Sequence, residues 1–295
     1  MRETQPCPHR AVSSGLAVSP SIPLVLLAAG LGSRYGGVKP LAPVGPTAEP
    51  LLLIALRHAA DAGFTEAVVV TSAATRGPIE AALNVPLPLA VRYADQGMVG
   101  PAREKPWGTV AGVLAADAGD RFVSANGDDL YGAEALRPAR WYCDDGPSGT
   151  DAAMIGYRLD RTLSRTAGVS RAVSEIDRNG LLSNLVEHRD VQREGARVRS
   201  STGASIAPET TVSMNLWAFR APAVAALRDE LTAFLDANRG SPTAELGLPQ
   251  AIGRLAHAGT LRVAVYRTSA TWHGVTWAED VAVVRAALTA ELAGR

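Results

Sequence analysis

Cysteine is almost absent: Cys7 and Cys143 are the only two in 295 residues, far apart and in unlike contexts. That excludes a disulfide framework and a paired-cysteine metal site, and it makes a reducing cytoplasm the default location. Net charge is missing as well, since 29 Lys+Arg balance 29 Asp+Glu. No global field therefore advertises nucleic acid or an anionic membrane as a partner. Long apolar runs are also lacking; the longest, Ile22 to Ala29, falls well short of the roughly 20 residues that cross a bilayer. The five histidines (His9, His58, His188, His257 and His273) show no metal-ligand spacing, and neither Ser33 nor the Ser200-Ser201 pair sits in a triad motif. Residues 1–20, with Pro6, Pro8 and Pro20, lack the apolar stretch of a signal peptide and read as a loose leader. The remaining length, 21–295, suits one large core, because 47% of the chain is hydrophobic and only 5% aromatic.

The pattern in the first half is a repeated strand and helix. Pro23 to Gly30 is apolar on both faces, as in a fully buried strand. Leu51 to Ala62 reads as a helix stopped by Gly63, and Glu66 to Thr71 as a second buried strand. A short helix over 78–84, a strand over 89–93, a helix over 109–118 and a strand over 121–125 continue the alternation. This predicts an α/β fold with an open, mostly parallel, Rossmann-like central sheet flanked by helices, and with ligand at the strand carboxyl ends. After residue 150 longer strands take over, at 151–157, 170–177, 181–187 and 211–219, with Asp177-Arg-Asn-Gly180 as a hairpin turn. Helices return at 222–238, 248–258 and 279–292. The second half is thus expected to add an antiparallel layer that closes the crevice, within one domain whose parts are 21–150 and 151–295.

Two loops carry the chemistry. In Leu27-Ala-Ala-Gly-Leu-Gly-Ser-Arg-Tyr-Gly-Gly-Val-Lys-Pro40, Gly30, Gly32, Gly36 and Gly37 let backbone N–H groups approach phosphate oxygens. Arg34 can fork across two oxygens, and Lys39 adds a mobile point charge. The loop has neither the Gly-Lys-Ser/Thr ending of a Walker A sequence nor the glycine spacing of the dinucleotide fingerprint. Asn126-Gly-Asp-Asp129 follows the strand that ends at residue 125, where the crevice belongs. Paired carboxylates there invite a hard cation such as Mg²⁺, with Asp128 as its ligand and Asp129 supporting the nucleotide or the metal shell.

At these loops the sequence resembles the sugar-phosphate nucleotidyltransferases, which have the nucleotide-diphospho-sugar transferase (GT-A-like) fold. The resemblance covers roughly residues 22–292, continuing through Pro106-Trp-Gly-Thr109, Val212 to Phe219, and Trp272 to Asp280. It implies that backbone at Leu27, Ala28, Ala29, Gly30, Gly32 and Ser33 holds the nucleotide, with Arg34, Lys39 and Asp128 as catalytic groups. It implies further that Gly108 and Thr109 line the nucleobase, with Lys105 nearby. Two positions depart from the family. Many relatives carry a Glu-Lys pair on the strand facing the acceptor phosphate, whereas here Glu187 is followed by His188 and Arg189. Glu187 is then a hydroxyl ligand, and Arg189, another basic residue or metal takes the phosphate. Many relatives also place a second metal-binding Asp in the late tryptophan segment, where this chain has Gly274, with Glu279 and Asp280 farther along; Asp280 is either that ligand or an acid of the first helical turn. Asn215 is a further candidate for acceptor hydroxyls, while Trp217 and Phe219 read as core.

The implied reaction is transfer of a nucleoside monophosphate from an NTP to a phosphorylated small-molecule acceptor, a sugar 1-phosphate first, with Mg²⁺ as cofactor. Alternatives are nucleotidyl transfer to an alditol phosphate, phosphocholine or phosphonate, and a regulatory nucleotide-binding protein without turnover. The arginines at 193, 197 and 199 read as a solvated hairpin surface. No nucleic-acid or membrane partner is expected; a homo-oligomer is left open.

Overall fold

The computed structural model describes residues 21–32, 35–103, 105–164, 168–195 and 197–293. The buried apolar segment begins the sheet as β1 (Leu24–Leu27), followed by the glycine-rich loop and a single 3-10 turn at Lys39–Leu41. Helix α1 (Leu51–Asp61) starts behind Pro50 and stops before Gly63, whose φ of +90° ends it. Strand β2 (Glu66–Thr71) matches the expected strand. Helix α2 (Ala73–Ala82) starts earlier than its apolar residues suggested, because the Ser72 N–H donates to Thr75 Oγ1 at 3.0 Å and caps the first turn. Strand β3 (Ala90–Asp95), helix α3 (Thr109–Ala115) and strand β4 (Phe122–Asn126) complete the alternation. Positive φ at Asp117 and Gly119 ends α3 short of the expected residue 118. A two-residue strand, β5 (Asp129–Leu130), and an unanticipated helix, α4 (Ala133–Asp145), close this half. Arg220 fixes the end of α4, donating to the carbonyls of Tyr142 (2.7 Å) and Gly146 (2.8 Å).

The second half contains β6 (Ala152–Arg158), β7 (Val169–Ile176), β8 (Leu182–Glu194), β9 (Arg197–Arg199), β10 (Ser205–Ile206) and β11 (Thr211–Phe219). Helices α5 (Ala221–Ala237) and α6 (Leu248–His257), strands β12 (Val263–Arg267) and β13 (His273–Gly274), and helix α7 (Asp280–Ala293) follow. The Asp177 carboxylate shapes the predicted turn between β7 and β8, accepting from the N–H groups of Asn179 (2.8 Å) and Leu181 (2.9 Å).

All but β5 and β13 join one mixed sheet, in which β10, β9, β8, β7, β11, β4, β1, β2 and β3 are successive neighbours. Strands β4, β1, β2 and β3 are parallel, as the first half predicted. The antiparallel strands extend that same sheet through β11, which pairs with β4, β6 and β7. Alternation along β1 feeds two cores: Leu24 and Leu26 pack with α1 and α4 residues such as Leu56 and Tyr142, whereas Val25 packs with Val110, Leu227 and Ile252 of α3, α5 and α6. Register then sets the site. Leu27 at the end of β1 lies beside Asn126 at the end of β4, and the Gly127 N–H donates to the Leu27 carbonyl at 2.8 Å. The glycine-rich and acidic loops therefore leave the sheet side by side, at its carboxyl edge.

Candidate active site

A Cβ on Gly32 would collide with the Lys39 side chain lying across it, so glycine here leaves room for that lysine. Gly32 and Gly37 form a backbone bridge, which closes the loop on itself. The Ser72 hydroxyl donates to the Ala29 carbonyl at 2.9 Å, tying the same loop to the start of α2. Ser33 and Arg34 lie outside the described residues. From this loop Lys39 Nζ reaches Asp128 Oδ2 at 3.5 Å, so residues 89 apart in sequence meet, both only partly exposed. Coulomb attraction across 3.5 Å in a half-solvated cleft is modest, and a polyanion can displace the pair.

Behind Asp128, the neighbouring Asp129 is buried, with 8% of its surface exposed. Its Oδ2 accepts from Asn126 Nδ2 at 2.8 Å and lies 3.3 Å from the Tyr131 hydroxyl, which donates to the Met214 carbonyl at 2.7 Å. Burial first, and the Asp128 charge second, push the Asp129 carboxyl up to about 7, against the opposing effects of the Asn126 hydrogen bond and the Arg171 and Lys39 charges. The two carboxylates are thus inequivalent: Asp128 faces the cleft, and Asp129 is held inside.

The chain of directed bonds continues into the second half. Asn215 Nδ2 donates to Asn126 Oδ1 at 2.6 Å, and Asn215 Oδ1 accepts from the buried Trp217 indole at 2.9 Å. Asn215 has φ +63° within the register shift of β11 between Ser213 and Trp217, so the strand bends where it meets the acidic loop.

A cavity of about 320 Å³ opens here, large enough for a small phosphorylated molecule. Lys39, Asn126, Asp128 and Asp129 line one side; Arg171, Glu187 and Asn215 of the antiparallel strands line the other. Gln250 Nε2 donates to Glu187 Oε2 at 3.4 Å, placing an amide and a carboxylate together at that wall. Arg171, Ser213, Gln250, Trp272 and Thr276 join the lining without having been singled out from sequence, where nothing distinguishes an arginine inside a strand pattern from any other.

Arg189, Lys105 and Asp280 do not line the cavity. Arg189 is exposed on β8. Lys105 lies 3.4 Å from Glu245. Asp280 Oδ2 accepts the N–H groups of Thr276 and Trp277, both at 2.8 Å, and so closes the turn before α7. Gly108 and Thr109 grip the segment before α6: a Cβ on Gly108, at φ +99°, would stand 2.5 Å from the Leu246 carbonyl oxygen, and Thr109 Oγ1 accepts from Leu248 N–H at 2.7 Å. Among the described residues no group of three or more His, Cys, Asp or Glu side chains is placed to hold a metal. Mg²⁺ needs none, since it is commonly held by one or two carboxylates plus substrate phosphates, and the cleft-facing Asp128 suits that mode.

Residues 24–128 match the MobA-like NTP transferase domain. That match spans the glycine-rich loop and reaches into the acidic loop, ending on Asp128. No curated protein matches the sequence. Solved structures extend the likeness to the second half. The UDP-glucose pyrophosphorylase complexed with UDP-glucose has a TM-score of 0.61 at 14% identity, over 92% of this chain and 99% of that one. The inositol-1-phosphate CTP transferase from T. maritima gives 0.58 at 14%, over 90% and 97%. HddC from Yersinia pseudotuberculosis complexed with GMP-PN gives 0.56 at 15%, over 90% and 99%. The chain shares their mixed-sheet nucleotidyltransferase fold, including the antiparallel extension.

Proposed function

We propose that the protein transfers a nucleoside monophosphate from an NTP to a phosphorylated polyhydroxyl acceptor, a sugar 1-phosphate first, releasing pyrophosphate. One observation carries this: Lys39 of the glycine-rich loop and Asp128 of the acidic loop meet at 3.5 Å on the rim of a cavity whose far wall holds Glu187 and Gln250. A cation and a carboxylate at the mouth suit a metal-bound triphosphate. A carboxylate beside an amide inside suits hydroxyl groups.

In the reaction an acceptor phosphate oxygen attacks the α-phosphorus, a new P–O bond forms, and the bond to the bridging oxygen breaks with its electrons leaving on pyrophosphate. The attacking monoester is largely dianionic near neutral pH, its second pKa being about 6, so no general base is required. Lys39, together with Arg34 and the loop amides, would hold the triphosphate and offset charge growing on the leaving group. Asp128 is the residue that would hold Mg²⁺, which supplies further neutralisation of the phosphates when bound.

Acceptor chemistry follows from the wall. Trp272 is the one aromatic residue among those described as lining the cavity, and the Arg171 guanidinium already sits over its ring, 4.9 Å from the centroid. A quaternary ammonium group needs open aromatic faces and would here meet a cation, so phosphocholine fits poorly. Sugar phosphates, alditol phosphates and phosphonates remain. The solved structures of similar fold widen the trial set, since they include a complex with UDP-glucose, an inositol-1-phosphate CTP transferase and a complex with GMP-PN.

The test is pyrophosphate release from each of five NTPs, ATP, CTP, GTP, UTP and dTTP, paired with sugar 1-phosphates, inositol 1-phosphate and alditol phosphates, with and without Mg²⁺. One pair is expected to give a metal-dependent signal, and Asp128→Asn is expected to lower kcat/KM for it by roughly 10²–10³-fold. Tight NTP binding with no release for any pair would instead favour a nucleotide-sensing protein.

A further inference from the structure

We propose that Arg171 is the cation that takes the acceptor's phosphate. The inference rests on the nucleotidyl-transfer reading for the identity of the acceptor, but the anion site itself follows from the arginine's surroundings.

Arg171 lines the cavity yet is only 8% exposed. Its guanidinium is held by neutral groups: Nε donates to Thr162 Oγ1 at 3.1 Å, Nη1 to the Ser170 carbonyl at 2.7 Å, and Nη2 to the Thr162 carbonyl. Trp272 covers one face. Among the described residues no carboxylate comes within 4.0 Å of it. Burial strips the guanidinium of water, and the Asp129 charge, acting on it from beyond ion-pair distance, returns only part of that cost. Burial draws its pKa down only to about 10, so the charge persists at neutral pH. Three of the five N–H donors of an arginine are engaged here, which leaves two for a bidentate anion. A bulge between β7 and β8 adjoins the residue, with Val169 paired to Val191 but Arg171 to His188, and Asp190 at φ +49°. Bulges re-aim side chains at functional sites. Next along the ladder Ala172 pairs with Glu187, so the proposed hydroxyl ligand and the proposed phosphate ligand leave opposite faces of the sheet, and both line the cavity. Arg189, one of the candidates that the family resemblance left for the phosphate, is exposed outside the cavity.

Two measurements separate this inference from the reaction it serves. Inorganic phosphate, titrated into the nucleotide-free protein and followed by ³¹P line broadening, is expected to bind wild type, to weaken at least tenfold in Arg171→Gln, and to recover in part in Arg171→Lys. With the acceptor found above, Arg171→Gln is expected to raise the acceptor KM at least tenfold while the NTP KM changes less than threefold. Arg193→Gln, exposed farther along β8, is the control. Circular dichroism melts establish that each variant is folded; if Arg171→Gln melts early, Arg171→Lys carries the comparison, with a weaker phosphate signal still expected. Phosphate binding that depends on Arg171 in a protein that releases no pyrophosphate would sustain the anion site and reject the reaction. Unchanged phosphate binding and acceptor KM in folded Arg171 variants, or a rise confined to Arg189→Gln, would overturn the assignment.

Discussion

At the residue scale the acidic loop separates two adjacent carboxylates by environment. Asp128 keeps solvent and a lysine; Asp129 loses solvent and keeps Asn126 and Tyr131. Its carboxyl pKa, raised to about 7 from 3.8, makes the folded chain bind more protons than the unfolded one between those values. Stability contributed by this group is therefore full at low pH and is lost as pH rises towards 7. Asp129→Asn removes the ionisation while an amide oxygen can still accept from Asn126. In EDTA the variant is expected to melt several degrees above wild type at pH 8, with the gap closing towards pH 5. An equal gap at both pH values would mean that packing, not ionisation, sets the difference.

At the element scale, legibility followed periodicity. Strands β1, β2, β4 and β11 and helices α1, α5 and α6 were readable because continuous apolar runs and stop signals agree over their whole lengths. Helix α4 was not, since Pro138 lies inside it and its buried face is short and broken: Ala135, Leu136, Ala139, Tyr142 and Cys143. The glycine-rich and acidic loops were readable as a pair because both follow buried strands. Arg171 was not, because its proposed role depends on a bulge and on the lack, among the described residues, of a carboxylate within ion-pair distance, neither of which has a local signature. The pairing of β13 with β5 was equally hidden, as each strand is two residues long. That pairing sets Gly274 directly opposite Asp129. A Cβ at 274 would fall within the Trp272 ring and 2.8 Å from Asp129 Oδ1. Gly274→Ala is expected to destabilise the fold by about 1–3 kcal/mol, read as a lower urea midpoint at unchanged m-value. It should also weaken phosphate binding by shifting Trp272 away from Arg171. Wild-type stability in this variant would show that the β5–β13 contact is loose in solution.

At the scale of the whole molecule, β11 joins the two chemistries. Val212 and Ser213 pair with β7, and after the bend at Asn215, Trp217 to Phe219 pair with β4. One strand thus ladders to the acidic-loop strand at one end and to the Arg171 strand at the other. Its side chains reach both cores, Met214, Leu216 and Ala218 in one, Trp217 and Phe219 in the other. Each of the two main cores draws on both 21–150 and 151–295: in one, Tyr142 of α4 packs against Tyr266 of β12, with ring centroids 6.2 Å apart, and the other holds Val110 of α3 together with Leu227 of α5. Losing β11 from the sheet would expose β4 along a long apolar edge and open both cores together. Heat unfolding of residues 1–295 is therefore expected to be one cooperative transition, with calorimetric and van't Hoff enthalpies agreeing and near- and far-ultraviolet dichroism melting together. A saturating NTP would then raise that single midpoint as a unit, although its contacts are proposed for the first half alone. Two resolved transitions, with only one moved by NTP, would show instead that the halves are separate folding units which β11 merely touches.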